Sequence, residues 1–298
     1  ALTALTARWF PLEERGTAAG LGTLAQFLGI IIVMMVTPLM VVSNPSLANY
    51  GEGMQSMLMT YGIITAVACL LAFVLIKEEP PTPPADEAYE RQNFTVGFKH
   101  IIKQKDMLIT IGIFFVGLGI FNAVSSMTDS IAEYLNVKDS DGLIGGIMLI
   151  GGILGAVIIP ILSDKLQKRK LFLNICLIGM VPSLAGIAFA GMITSTPEAA
   201  YTVALISSFM LGFFVLSAGP IGFQYGAEVT YPAPESTSQG LLLLSGQITG
   251  LIFVAVMSAK ANAYLPFLMK FFVIIGAAAL ISSFFLKESK PLEELRGK

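Results

Sequence analysis

The sequence predicts an all-α protein, a polytopic membrane helix bundle, from two observations: eight long apolar stretches, and a lopsided distribution of positive charge among the loops between them. Hydrophobic residues make up 55% of the chain and charged residues only 13%, well below the roughly one quarter that soluble domains carry. A hydrocarbon core of about 30 Å needs about 20 apolar residues in helical form. The stretches 17–42, 54–76, 107–128, 142–163, 171–193, 200–224, 238–259 and 264–286 meet that requirement. Lipid offers no water to the backbone, so each must be a helix. A soluble helical protein would need polar faces on most helices, and Met54–Ile76 and Leu265–Leu286 have almost none.

Fifteen of the eighteen Lys and Arg fall in alternate loops: Arg8 and Arg15; Lys77, Arg91, Lys99, Lys103 and Lys105; Lys165, Lys168, Arg169 and Lys170; Lys287, Lys290, Arg296 and Lys298. Lys138 and Lys260 lie in the opposite set, and Lys270 just inside a span. This is the positive-inside pattern. It puts both ends of the chain in the cytoplasm and points to an integral protein of a plasma (inner) membrane. Residue 1 is not Met, and Ala1–Ala7 reads as the tail of an apolar segment ending at Trp9 and Phe10. The chain therefore reads as cut from something longer.

The first span opens with RGTAAGLGTLAQFLG, Arg15–Gly29, and the seventh with ESTSQGLLLLSGQITG, Glu235–Gly250. Both carry threonine, Gly-Leu, and a Gln followed by Gly. Related elements six spans apart are the parallel repeat of a twelve-helix transporter, of which about eight full helices are expected here. Domains follow from this: 1–76, a remnant of an N-terminal bundle (the end of helix 4, then helices 5 and 6); 77–106, a cytoplasmic linker; 107–298, a C-terminal six-helix bundle. The linker opens as a proline-rich acidic stretch that should run extended. In its second part Phe94, Phe98, Ile101 and Ile102 alternate with Lys99, Lys103 and Lys105, which suits either an amphipathic helix on the membrane surface or a solvated approach to the next span.

A lipid-facing helix has no use for a polar stripe, so a stripe marks a helix interface or an aqueous cavity. In the third span Gly112, Phe115, Gly119, Asn122, Ser126, Asp129 and Glu133 follow steps of three and four and share a face. Gly240, Gln247, Gly250 and Val254 share one in the seventh span, and Gly22, Gln26 and Gly29 in the first. The sixth span is interrupted on paper by Gly212, Gly219, Pro220, Gly222 and Gly226, followed by Gln224 and Tyr225. Broken helices are where transporters place moving or binding parts. Candidate substrate-binding residues are Asn122, Gln247, Tyr225, Gln224 and Gln26; candidate conformational residues are Asp164, Lys165, Arg169, Pro220 and Glu228. Asp164 is expected to dock on the N-terminal end of the first span near Gly16 and Thr17. Glu228 reads as a solvated loop acid at the end of the sixth span, or as the nearest candidate for a coupling site.

Several classes are excluded. A net charge of −2 argues against a nucleic-acid partner. His100 stands alone in a basic loop, carboxylates are confined to loop ends, and no cluster of nucleophile and base is visible. No enzyme, cofactor or metal site is expected. The implied partners are the lipid bilayer and a small organic solute, with the full-length protein expected to act as a monomer.

Pro160–Lys170, PILSDKLQKRK, resembles the loop G-x-x-x-D-R/K-x-G-R/K-R/K of the major facilitator superfamily, with Pro160 and Gln167 standing where glycines are usual. Ala227–Gly250 resembles the tenth-to-eleventh helix junction of the feline leukaemia virus subgroup C receptor family, carried by Glu228, Thr230, Tyr231, Pro232, Glu235, Gly240, Leu241, Leu242, Ser245, Gln247 and Gly250. That resemblance implies transport associated with choline, ethanolamine and haem, by uniport and alternating access. It implies a cavity role for Gln247, and it puts Asn122 where the choline carriers have a tyrosine, which suggests a more polar ligand. A proton- or sodium-coupled carrier and a membrane receptor are the alternatives.

Overall fold

The computed structural model describes residues 9–10, 18, 22, 25, 28–30, 32–33, 36–37, 39–42, 49–77, 94–137, 139 and 142–290. The chain divides into two compact units, Ala1–Tyr89 and Glu90–Lys298. The proline-rich part of the linker, Gly16, Thr17 and Gln26 lie outside the described residues.

In the first unit, helix α1 (Met54–Leu75) carries no charged residue. Its 22 residues reach about 33 Å at 1.5 Å per residue, enough to cross a bilayer. Gly53 starts it at φ 90°, a left-handed conformation that costs glycine nothing. A Cβ there would also strike the Met40 carbonyl. Two turns into the helix, the Tyr61 hydroxyl shares a hydrogen bond with Thr37 Oγ1 at 2.8 Å.

The second unit contains α2 (Phe94–Ile101), α3 (Lys105–Ser126), α4 (Thr128–Tyr134), α5 (Leu143–Leu166), α6 (Arg169–Ile193), α7 (Pro197–Val229), α8 (Glu235–Met257), the short α9 (Ala259–Asn262) and α10 (Leu265–Ser283). Among the described residues seven helices are long and apolar enough to span a membrane, α1, α3, α5, α6, α7, α8 and α10. They coincide with the second to eighth stretches read from the sequence. Helix α7 is the centre of one group, packed between α5 and α6; α3 pairs with α8, and α10 bridges α6 and α3. Leu173, Leu184, Ile187, Leu211 and Phe272 are fully buried where these helices meet.

The α5–α7 contact is made by backbone. Gly151 lies under the Phe209 carbonyl, Gly155 under that of Phe213, and Gly212 under that of Met148. Small residues at such a seam let two helices approach until dispersion and weak polar contacts hold them. Gly212, Gly222 and Gly226 are thus packing residues, and the break expected near Pro220 is absent: α7 is one helix of 33 residues. Proline removes a single ladder bond, and the neighbouring turns are held, with Gly222 against the Phe114 ring and Gly226 against Leu242 and Met107.

The basic segment forms helix α2, one face of which packs on protein. Ile101 is fully buried with Met107, Phe114, Ala233 and Leu242, and Gly97 abuts Pro234. Its inner face therefore rests on protein, while Val96 and Ile102 stay exposed. The reason is length: eight residues give a narrow apolar face, which the α7–α8 turn covers.

Gln167 ends α5 in the left-handed conformation at φ 51°, at a position where the resembling loop pattern has glycine. Two outcomes are expected in equilibrium unfolding of the detergent-solubilised protein. Gly212→Ala lowers stability by roughly 1–3 kcal/mol through overpacking, whereas Gly219→Ala, with nothing within 4 Å of the added carbon, changes little. Gln167→Gly raises stability by about 0.5–1 kcal/mol by relieving the left-handed side chain.

Candidate functional site

Two polar constellations occur in the second unit, one where the C-terminal part of α3 meets the middle of α8 and one at the end that carries Lys165, Lys168, Arg169 and Lys170.

In the first, the α3 face read from the sequence is largely the one the fold leaves open. Gly112, Phe115 and Ser126 are exposed and Asn122 is half-buried, while Asp129 and Glu133, also exposed, fall on α4 past the break at Met127. Gly119 departs from this: it is buried against Thr249, whose Cβ lies 2.7 Å from the position a Cβ would take. Gly246 and Gly250 likewise accommodate Leu118 and Asn122. These three glycines bring α3 and α8 together, and Asn122 Nδ2 donates to Gln247 Oε1 at 3.4 Å. Gln247 is exposed. Each amide offers two donor hydrogens and an acceptor, so a pair joined by one bond keeps hydrogen-bonding capacity of both kinds.

Tyr225 and Gln224 are not part of this face. Tyr225 is completely buried, and its hydroxyl donates to the Lys287 carbonyl at 2.7 Å. Gln224 Nε2 donates to Glu228 Oε1 at 3.0 Å. Position on α7 explains both: each is within a turn of Glu228, near the basic end of the helix rather than midway along it.

The second constellation gathers around Glu228, which is 5% exposed and is not the solvated loop acid expected. Its Oε1 accepts from Arg169 Nε at 3.4 Å as well as from Gln224, and its Oε2 accepts from the Ser289 hydroxyl. Arg169 also donates to Ser163 Oγ at 3.2 Å and pairs with Asp164. A buried carboxylate retains its charge only when paired and hydrogen-bonded, and here three donors meet it. Asp164 thus has a partner five residues on in its own unit, while Gly16 and Thr17 lie outside the described residues. Lys165 and Pro220 are exposed.

The Major Facilitator Superfamily profile matches residues 1–254. The chain belongs to the major facilitator superfamily. It is similar to Solute carrier family 49 member A3 of Xenopus tropicalis, 29% identical over 254 residues, covering 84% of this chain and 50% of that protein. Similarity to the Choline/ethanolamine transporter flvcr2a of Danio rerio is 28% over 267 residues, covering 83% and 54%. For the human Choline/ethanolamine transporter FLVCR2 it is 28% over 258 residues, covering 82% and 47%. The chain spans about half the length of these curated relatives. Among solved structures, a bacterial homologue of the human lysosomal transporter Spinster, crystallised inward-facing and unoccupied, matches at TM-score 0.54 and 13% identity, covering 95% of this chain and 71% of that one. At that identity the likeness is one of fold. With seven spanning-length helices, this member of the superfamily is an integral membrane protein, and its named relatives are transporters.

Within that family setting, the resembling loop Pro160–Lys170 has its acid, Asp164, and its base, Arg169, bonded to each other. Sequence reasoning named Asp164, Arg169 and Glu228 separately, and the fold joins them. It missed Asp106, Lys170, Glu288 and Ser289, which meet at the same end of the bundle. It also missed Asp139, which caps α5 by accepting from the Leu143 and Ile144 amides and from the Tyr201 hydroxyl. An acid four residues before an apolar helix was the available signal for Asp139.

The Arg169 and Glu228 side chains are 11% and 2% exposed. Removing one partner should strand the other's charge: Arg169→Ala is expected to cost roughly 3–5 kcal/mol, and the Arg169→Leu, Glu228→Leu pair clearly less. A double-mutant cycle in unfolding experiments measures this.

Proposed function

We propose that the protein is a facilitator that moves a small polar organic solute across a plasma membrane by alternating access, with its basic loops in the cytoplasm. The supporting observation is the Asn122–Gln247 pair: two uncharged amides from helices far apart in sequence, joined on an open face of an otherwise apolar bundle. Amides in that setting require a polar neighbour, and a solute bearing hydroxyl or amine groups supplies one. The relatives named for choline and ethanolamine transport favour an amino alcohol or its quaternary analogue as the solute class. Membership of the superfamily argues for transport over enzymatic chemistry.

Uncoupled movement is the reading favoured here because of Glu228. It is the buried carboxylate among the described residues, and a coupling site needs a carboxylate free to exchange its ion. Glu228 is instead held by Arg169, Gln224 and Ser289.

The test is flux in proteoliposomes against choline, ethanolamine and neutral polyols. Saturable flux of an amino alcohol, unchanged by an imposed proton or sodium gradient, is expected. Asn122→Ala and Gln247→Ala should each weaken binding about tenfold, the loss of one to two hydrogen bonds, with normal expression. Unchanged uptake in both variants removes the site assignment, and gradient-driven accumulation removes the facilitator reading.

A further inference from the structure

After α10 the chain does not leave the bundle. Leu286 is 1% exposed within the main apolar cluster, alongside Phe172, Leu173, Cys176 and Tyr225. The Lys287 amide donates to Asp106 Oδ1 at 3.2 Å, and its carbonyl accepts from the Tyr225 hydroxyl at 2.7 Å. Glu288 Oε1 accepts from the Lys170 amide at 2.9 Å, and Lys170 Nζ donates to the Phe284 carbonyl at 3.1 Å. The Ser289 hydroxyl donates to Glu228. Five of the six residues Phe284–Ser289 are thus fastened to the first turns of α3 and α6, to the last turns of α7 or into the apolar cluster.

Solvation and topology do not call for this. A charged tail after a last span needs only to stay in water, and its Lys and Glu side chains would do that unbound. Here the backbone of Lys287 is held from both sides, and two of the holding groups, Asp106 and Tyr225, have no other assigned role. The Glu288 carboxylate meets the opening amide groups of α6, where a helix leaves donors unsatisfied. The strap also completes the hydrogen bonding of Glu228, so it reaches the Arg169–Asp164 pair through one carboxylate.

We propose that Leu286–Ser289 is a clamp that holds the basic ends of α3, α6 and α7 together and sets the balance between the closed and open forms of that end. Seated, it supplies a donor to Glu228 and buries Leu286 in the main apolar cluster, to which Cys176 also belongs. Released, it frees the three helix ends to separate, and Glu228 loses its third donor. The inference rests on the transporter reading only for its bearing on flux; the mechanical claim concerns this unit alone.

Cys176 is a native reporter of the packing of α6, since it is 1% exposed and belongs to the same apolar cluster as Leu286. The protein is taken in a Cys69→Ser background, because Cys69 is exposed, and reacted with N-ethylmaleimide in lipid nanodiscs. The Asp106→Ala, Tyr225→Phe pair removes both holds on Lys287 while keeping the aromatic ring. It is expected to raise hydrogen exchange of peptides covering 284–290 and the labelling rate of Cys176 about tenfold, the effect of losing hydrogen bonds that guard a local opening. Exchange in α5, which the strap does not touch, should remain at the wild-type level and shows that the variant is folded. Glu288→Ala, which alters no buried group, should raise both readouts to a smaller extent. Unchanged exchange over 284–290 overturns the proposal. So does a strap that exchanges freely while Cys176 labels at the wild-type rate. Flux of amino alcohol is measured on the same samples: its absence in the wild type sinks the transporter reading, while the Cys176 rate still decides the clamp.

Discussion

Within a bilayer the hydrophobic effect gives helices no reason to associate, because lipid tails are as apolar as the side chains they would replace. What holds this bundle is close approach at glycine. At the α5–α7 seam backbone meets backbone under Gly151, Gly155 and Gly212. At the α3–α8 seam Gly119, Gly246 and Gly250 instead leave room for side chains, those of Thr249, Leu118 and Asn122. The two seams have different consequences: the first is buried and apolar, while the second brings Asn122 and Gln247 within hydrogen-bonding range of each other. The polar pair is therefore a product of the packing, since a side chain at Gly250 would occupy the space of Asn122.

The basic end obeys a different constraint. There the helices run out of hydrocarbon, their terminal donors and acceptors need partners, and charges can be kept if each is met. Arg169 opens α6 and Glu228 lies in the last turn of α7, so the pair ties two helix ends rather than two helix middles. Its partners are all local or from the tail: Ser163 and Asp164 from the end of α5, Gln224 from the turn before Glu228, Ser289 from beyond α10. A pair of charges this buried stabilises little in itself. Its effect is to make the relative position of these ends specific.

Much of the fold was legible because lipid simplifies the reading. Length and apolarity alone locate α1, α3, α5, α6, α7, α8 and α10, and a period of three to four picks out the open face of α3. Legibility failed where a residue type has two uses. Glycine marks a broken helix and a tight seam equally well, so Gly212 and Gly222 suggested an interrupted span when they are contact points of a continuous one. Tyr225 and Gln224 are polar residues on a membrane helix, which suggested a cavity, but their depth depends on how far α7 extends past the apolar core. Glu228 looked solvated because it follows the last apolar turn, and the tail segment that covers it is distant in sequence. The charged residues after α10 carried an adequate topological explanation already, so nothing in their order pointed to Asp106 or Tyr225.

Helix α7 links these observations. Its first half is fixed to α5 by glycine contacts that admit no side chain, and its last turns carry Tyr225 and Glu228 into the tail and the α6 terminus. A rod seated so firmly along its length has little freedom to bend in the middle. Motion in such an element concentrates where its contacts are polar and can be exchanged for water, because hydrogen bonds re-form at small net cost whereas interdigitated backbones must separate outright. The glycine seam and the hydrogen-bonded end are for that reason complementary: one gives α7 the stiffness to carry a displacement, and the other is the place where a displacement can begin.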